Sequence, residues 1–355
     1  MKELRLILGD QLNINHSWYQ KVDPDVAYLM MEVKSETQRS PQHAQKVLGT
    51  FAAMRAFSAS LSSLGHHVHY LSIGAPDNQQ SFSGNASYFC EKFAVSSFSW
   101  QQPDSWYVDE ELKEFFNASS LEGGEVSTEH FFEPRDGLAT FMQNRSTWKM
   151  ENWYRHLRVK HDVLIEDGKP TGGNWNFDKE NRKAWRGEPS PDSASGPTYD
   201  HSALWDEITQ AKVTTFGNPS AAAFQWPSNR EESLEMLKRF CNGNLKFFGD
   251  YQDAMSEKSQ TLFHSLLSFS LNLKMISPKE VLNAVVKALD GDQKNIASIE
   301  GFVRQVLGWR EYVRGIYWAK MPDYLLSNTF AFSKKLPAWF WSGKVDMKCM
   351  SVTIN

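Results

Sequence analysis

Cysteine is scarce: the chain of 355 residues has only Cys90, Cys241 and Cys349. An odd number so widely spread excludes a disulfide framework and gives this chain alone no metal-ligand spacing, which fits a reducing compartment. Long apolar runs are missing as well. The opening MKELRLILGDQLN is broken at Asp10 before a signal-peptide core is complete, and no stretch of about 18 apolar residues occurs elsewhere. The expectation is a cytoplasmic protein without a membrane partner. Neither G-x-G-x-x-G nor G-x-x-x-x-G-K-[ST] occurs, so a standard dinucleotide or Walker site is unsupported. Internal repeats and low-complexity tracts are absent too.

Aromatic residues are plentiful, with 13 Trp and 23 Phe. Most belong in a core, but such an excess of indoles also suits a protein that stacks on rings or moves electrons between them. The net charge of −4 gives no global reason to expect a nucleic-acid partner. Its distribution is uneven. From Asp104 to Asp136 ten acids face two bases, and from Met142 to Arg186 ten bases face six acids. The second stretch could turn a positive patch to phosphate, or could be a solvated loop of mixed charge.

The order of segments reads as α/β followed by all-α. LRLILG (4–9), VAYLMMEV (26–33) and HVHYLSIG (67–74) are β-prone, and 42–65 carries Val47, Phe51, Met54 and Leu61 near a helical period, with Gly65 as a stop. Strand, helix, strand in that order predicts a parallel sheet with helices on its faces. AVSSFSW (94–100) and GEVSTEHFF (124–132) are further strand candidates. GEPSPDSASGPTYD (187–200) is the best linker, and beyond it helical spacing dominates. In EGFVRQVLGWREYVRGIYWAK the period places Phe302, Val306, Trp309, Val313 and Ile316 on one face. The expected division is an α/β domain over 1–135, a crossing segment over 136–200 and a helical domain over 201–355.

Three places could carry chemistry. LGDQL ends the first strand, where ligands of open parallel sheets bind; Asp10 and Gln11 offer polar groups there, and Glu36 comes after the second strand. His264 and Ser265 stand at the first turn of the helix in TLFHSLLSFSLNLKMISPKEV, where hydroxyls and backbone N–H groups suit a diphosphate; the plain alternative is a serine N-cap on a buried helix. GWREYVRGIYW crowds Trp309, Tyr312, Tyr317 and Trp318 with Arg310, Glu311 and Arg314, and an arginine near a ring stacks on it or pairs with a carboxylate.

Together LILGDQL, GGNWNFDKENR, QDAM…HSLLSFSLN, GFVRQVLGWREYVRGIYW and MKCM resemble the photolyase/cryptochrome superfamily, most closely its bacterial iron–sulfur branch of prokaryotic (6-4) photolyases, over practically the whole chain. That resemblance implies an N-terminal antenna domain for a lumazine-type chromophore, 6,7-dimethyl-8-ribityllumazine, met by Asp10, Gln11 and Glu36. It implies a helical domain holding folded FAD, with His264, Ser265, Leu266, Leu267 and Ser268 at the diphosphate; Leu266 replaces a basic residue often found there. Arg310 and Tyr312 would join the flavin site, and Trp309 would flank the flavin or the lesion. The implied activity is light-dependent repair of (6-4) photoproducts in UV-damaged DNA by a monomeric lyase. The rivals are a cryptochrome-type photoreceptor and a nucleotide-binding α/β protein without light chemistry.

The segment GGNWNFDKENRK (172–183) belongs, by the same resemblance, to the crossing near the DNA side. Its glycines would permit a tight turn, its asparagines satisfy that turn's backbone, Trp175 and Phe177 anchor it, and Lys179, Arg182 and Lys183 lie near phosphate; alternatively it is a structural clasp. Members of the branch run well past residue 355, so the expectation is a C-terminally truncated sequence. Cys349 resembles the first ligand of a four-iron four-sulfur cluster, whose other three ligands would lie beyond Asn355.

Overall fold

The structure, a computed structural model, describes residues 1–192, 196–289 and 295–354. Part of the 187–200 linker, and Asp290 and Gly291 at the end of PKEVLNAVVKALDG, lie outside the described residues. The chain divides into two compact units, Met1–Ala319 and Lys320–Asn355.

The first unit begins with β1 (Glu3–Ile7), β2 (Val26–Met31), α1 (Ser35–Arg39), the two-residue β3 (Gln42–His43), α2 (Ala44–Ser63), β4 (His67–Leu71), α3 (Phe82–Lys92), β5 (Ser97–Gln101), α4 (Trp106–Ala118) and β6 (Glu122–Val126). The main sheet has the order β4-β2-β1-β5-β6, and each adjacent pair is parallel. In register, Leu4 of β1 stands between Ala27 of β2 and Phe98 of β5. Every residue of β2, VAYLMM, is buried, as a strand covered on both faces requires. Side chains divide by the period of two: Val26, Tyr28 and Met30 meet Val47, Leu48 and Phe51 of α2, while Ala27, Leu29 and Met31 share a core with Phe82, Ala86 and Phe89 of α3 and with Val108 and Leu112 of α4.

The expected strand over 124–132 is displaced. β6 ends at Val126, because backbone groups of the next residues find tertiary partners: Ser127 O meets His16 Nε2 at 2.8 Å, and Phe132 N donates to Glu311 Oε1 at 3.2 Å. Any ladder beyond Val126 would have to break those bonds.

Helices come next: α5 (Gly137–Met142), α6 (Met150–Lys160), the β7–β8 hairpin (Ile165–Glu166, Lys169–Pro170), α7 (Ser202–Gln210), β9 (Thr215–Phe216, paired with β3), α8 (Arg230–Asn242), α9 (Leu245–Tyr251), α10 (Ser268–Asn272), α11 (Pro278–Lys287), α12 (Ile296–Val303) and α13 (Glu311–Lys320). α11 starts with a reciprocal cap between Ser277 and Glu280 and with Pro278 at its first position. Its Val281, Leu282 and Val285 join Trp153, Tyr154, Leu237, Phe240, Phe248, Ile299 and Phe302 in a second core. Leu204, Ile208, Phe224, Leu273 and Met275 instead pack into the α2 side of the sheet, so this part of the chain is welded to the α/β layers.

Between α12 and α13, Arg304–Arg310 forms a π-helix. Its i→i+5 bonds take up an extra residue and rotate α13 by about 100° relative to an unbroken α-helix. The expected single face is therefore split. Phe302 and Val306 are buried, whereas Trp309 is 43% and Val313 59% exposed.

The second unit contains a short turn of helix at Asp323–Leu326, α14 (Trp339–Ser342) and α15 (Lys348–Ile354), with the rings of Trp339 and Phe340 stacked 4.0 Å apart.

Candidate functional site

The sheet order reverses at β1: β2 and β4 lie on one side, β5 and β6 on the other. At such a switch point the loops leaving the carboxyl ends of neighbouring strands diverge and leave a crevice. A cavity of about 250 Å³ occupies it, bordered by Gly9 and Asp10 after β1, Glu36 after β2, and Pro103 and Asp104 after β5. Phe51 and Met54 of α2 and Val108 of α4 give it apolar walls. A Cβ at Gly9 would lie 2.8 Å from Met54 Sδ, so a larger residue there would have to push the Met54 side chain aside.

Two of the three residues expected to meet a chromophore, Asp10 and Glu36, line this cavity. Burial raises both carboxyls above their ordinary values; at Asp10 Lys274 pulls the other way, at Glu36 Arg39 does. Glu36 Oε1 is shielded from water and accepts no hydrogen bond, though Arg39 Nη1 stands 3.6 Å from it as an ion-pair partner. Gln11 is elsewhere. It is fully buried, accepts from Leu8 N at 2.9 Å and donates to the carbonyls of Gln101 and Gln102, tying the β1 and β5 loops together below the cavity residues.

A second cavity, of about 480 Å³, is lined by Met236, Arg239, Phe240, Asn242, Asn244, Thr261, His264, Ser265 and Leu266, with Asp192 at its edge. His264 packs edge-on against Phe248 at 5.9 Å, and burial lowers its pKa below the usual imidazole value. Leu266 has a left-handed backbone (φ 59°), which turns the chain from the cavity into α10. Leu267 is buried in the helical core, and Ser268 begins α10. Ser265 Oγ accepts from Leu267 N at 3.4 Å while lining the cavity, but the N-cap of α10 is Leu267 and no side chain caps it, so neither His264 nor Ser265 stands at the helix's first turn. Arg239 joins the site without any sequence signal that singles it out. Its Nε is buried without a hydrogen-bond partner, which marks it as a donor for an anionic group.

The residues of the π-helix lie apart from this cavity. Arg310 spans Phe131, 4.8 Å from the ring centroid, and donates to Leu271 O at 3.3 Å and to His130 Nε2 at 3.2 Å. His130 must accept through that nitrogen, and burial, with Arg310 beside it, holds its pKa far below the ordinary value. Arg314 stacks on the same Phe131 at 3.8 Å. Tyr312 donates to Trp148 O at 2.9 Å, and Trp309 meets Tyr312 edge-on at 6.0 Å.

The 172–183 segment is anchored at Trp175, Asn176, Phe177, Asp178 and Asn181, while its two ends are exposed. Gly172 and Gly173 take positive φ values of 74° and 79°, Phe177 is buried, and Asn181 donates to Ala297 O at 3.1 Å. Phe177 N reaches Glu300 Oε2 at 3.0 Å, and Asn176 donates to Glu151. Arg158 donates to Trp175 O and lies 5.4 Å from the Trp175 ring. Of the three bases, Arg182 pairs with Asp178 and Lys183 with Asp250, while Lys179 is exposed.

Cys349 lies exposed on α15; Cys90 is buried and Cys241 half-buried, their thiols pushed up by burial to about 12 and about 11. Among the described residues no group of three or more His, Cys, Asp or Glu could hold a metal ion. Three cysteines cannot supply the four ligands of an iron–sulfur cluster, so the residues of this chain do not fit one.

A doubly wound sheet with a crevice at its switch point, with helices around a second cavity after it, defines a two-site α/β-plus-helical protein. Residues 5–226 match the deoxyribodipyrimidine photo-lyase-related protein family, and the chain belongs to it. Over its whole length it is 32% identical to a (6-4) photolyase of Agrobacterium fabrum (strain C58 / ATCC 33970) and spans 70% of that protein. An uncharacterized protein of Acanthamoeba polyphaga mimivirus is 28% identical over 106 residues, 30% of this chain and 81% of the viral protein. The crystal structure of a bacterial class III photolyase from Agrobacterium tumefaciens shares the fold, with a TM-score of 0.56 and 16% identity over 94% of this chain. The chain spans 63% of that photolyase. No helix among the described residues is long and apolar enough to cross a membrane.

Proposed function

We propose that the protein repairs (6-4) pyrimidine photoproducts in UV-damaged DNA with light, holding a lumazine-type chromophore in the β1 crevice and FAD at the second cavity. The observation that carries this reading is that one short stretch serves both cavities: Leu266 lines the second and Leu273 the first. The match to the Agrobacterium (6-4) photolyase runs over the whole chain, the region of that stretch included. On this reading residues 1–135 are the antenna domain, 136–200 the crossing and 201–355 belong to the flavin domain.

The residues present fit the two groups. In the crevice, between apolar walls, Asp10 accepts from the one ring N–H and Glu36 from a ribityl hydroxyl. At the second cavity, Arg239 pairs a diphosphate, Ser265 and Thr261 offer hydroxyls, and His264 can donate from a ring nitrogen. Bound reduced FAD supplies the electron that the lesion takes on illumination and later returns. The chain positions that group and keeps water from it. A (6-4) lesion is already weakly stacked, so extruding it costs least among bases in a duplex.

Purified protein reconstituted with FAD and 6,7-dimethyl-8-ribityllumazine, then illuminated with (6-4)-containing duplex, tests the proposal. Loss of the lesion in light but not in the dark is expected. A flavin-loaded, light-responsive protein that leaves the lesion intact would point instead to a photoreceptor, and protein that takes up neither chromophore would end the proposal.

A further inference from the structure

Lys274 is the most unusual residue near the two cavities. Its side chain has no exposed surface, and its backbone is left-handed (φ 62°), a conformation that favours glycine. A buried ammonium costs several kcal/mol, on the order of the ion's effective desolvation penalty, unless acids face it. They do. Nζ lies 2.6 Å from Asp104 Oδ2, 2.6 Å from the Asp10 carbonyl oxygen and 3.6 Å from Asp10 Oδ2. Leu12 N also donates to Leu273 O at 2.9 Å, so the β1 loop and the residue before Lys274 are joined through backbone as well.

One cation therefore stands between two carboxyls, both of which line the crevice. Burial pushes Asp10 up, Lys274 pulls it back, and Asp104 pushes it up again. The other titratable or charged groups facing this cluster are Glu36, Arg39, Lys46 and Glu111 around the crevice, Arg310 and Arg314 beyond Asp104, and His130 beside Lys274. Lys274 bonds the Asp10 carbonyl and stands 3.6 Å from the Asp10 carboxylate as its ion-pair partner.

We infer that Lys274 is a positioning residue for the crevice: held between Asp104 and Asp10, its ammonium fixes and favours the Asp10 carboxylate, so that Asp10 presents an acceptor to a ring N–H flanked by carbonyls. This rests on the chromophore reading above. Lys274 touches no ligand in this role; it acts through Asp10.

Three variants separate the inference from a packing role. Lys274→Met removes the charge, Lys274→Arg keeps it, and Asp104→Asn removes the competing acid. Carboxyl carbon-13 resonances of aspartate-labelled protein, assigned against Asp10→Asn, read the Asp10 midpoint without ligand. Titration with 6,7-dimethyl-8-ribityllumazine across about pH 5–8 reads affinity. In Lys274→Met the midpoint should rise by about one unit, with lumazine binding about tenfold weaker near the acid end and recovering as pH rises. Lys274→Arg should keep the wild-type profile. Asp104→Asn should move the midpoint the opposite way, a sign that loss of packing does not produce. An unchanged midpoint in Lys274→Met, or an affinity loss equal at every pH, overturns the inference. Should the wild type take no lumazine at any pH, the chromophore reading fails, and the ligand-free midpoints alone still decide the role of Lys274.

Discussion

Glu300 shows how a single residue can organise a long segment. It is fully buried on α12 and accepts from Tyr154 Oη at 2.9 Å and Phe177 N at 3.0 Å, with Arg304 Nε 3.7 Å away. Through Phe177 it fixes the crossing segment, and through Tyr154 it fixes α6. Burial raises its carboxyl above the ordinary glutamate value despite these partners. The folded state therefore holds a proton that the unfolded chain has lost between the ordinary and the raised value, and stability falls as pH rises through that window. Glu300→Gln has no such proton. Relative to the wild type it should gain stability as pH goes from about 4 to about 7, by on the order of 1 kcal/mol, read from urea midpoints at each pH. A gap that moves the other way would mean that the hydrogen bonds, rather than burial, govern this carboxylate.

At the level of elements, α9 and α12 cross closely enough that their glycines decide the packing. A Cβ on Gly249 would lie 2.7 Å from Ser298 Cα, and one on Gly301 2.9 Å from Asn181 Nδ2. The nearest obstacle to Gly249 is backbone and cannot swing aside. Gly249→Ala should gain about 1 kcal/mol of helix propensity but lose about 1–3 kcal/mol to overpacking, and a lowered urea midpoint is the expected net result. An increase would show that the helices can separate without cost. Neither glycine is legible as a contact, because sequence period reports which face is apolar and not how near another backbone comes. The period also fails from Arg304 onward, where the π-turn rotates Trp309 and Val313 outward. By contrast β2 is legible, since an unbroken apolar run of that length between polar turns has few other uses, and Asp10 and Glu36 can be placed from strand ends alone. Asp104, after β5, obeys the same strand-end rule but is masked by the acidic stretch around it. Lys274 leaves a faint mark, a lone cation in SLNLKMIS, whereas Arg239 leaves none.

For the molecule as a whole, the question is whether the basic stretch binds DNA or holds the fold. Net charge is −4, so any attraction to phosphate must be local. The sequence places Lys179, Arg182 and Lys183 together, but it cannot show that Asp178 and Asp250 fold against two of them. Those acids offset the local field, and Asn176 and Asn181 donate to α6 and α12 while Phe177 is buried, as a clasp requires. Surface pairs of this kind contribute little to stability, so the bases can be neutralised without unfolding the chain. Each phosphate contact with duplex DNA adds about 0.9 to the slope of log affinity against log salt. With Lys179→Gln, Arg182→Gln and Lys183→Gln combined, the slope should fall by about one contact's worth, that of Lys179, rather than three. A fall approaching three contacts would show that Asp178 and Asp250 release their partners to DNA, and the segment would then be an interface as well as a clasp.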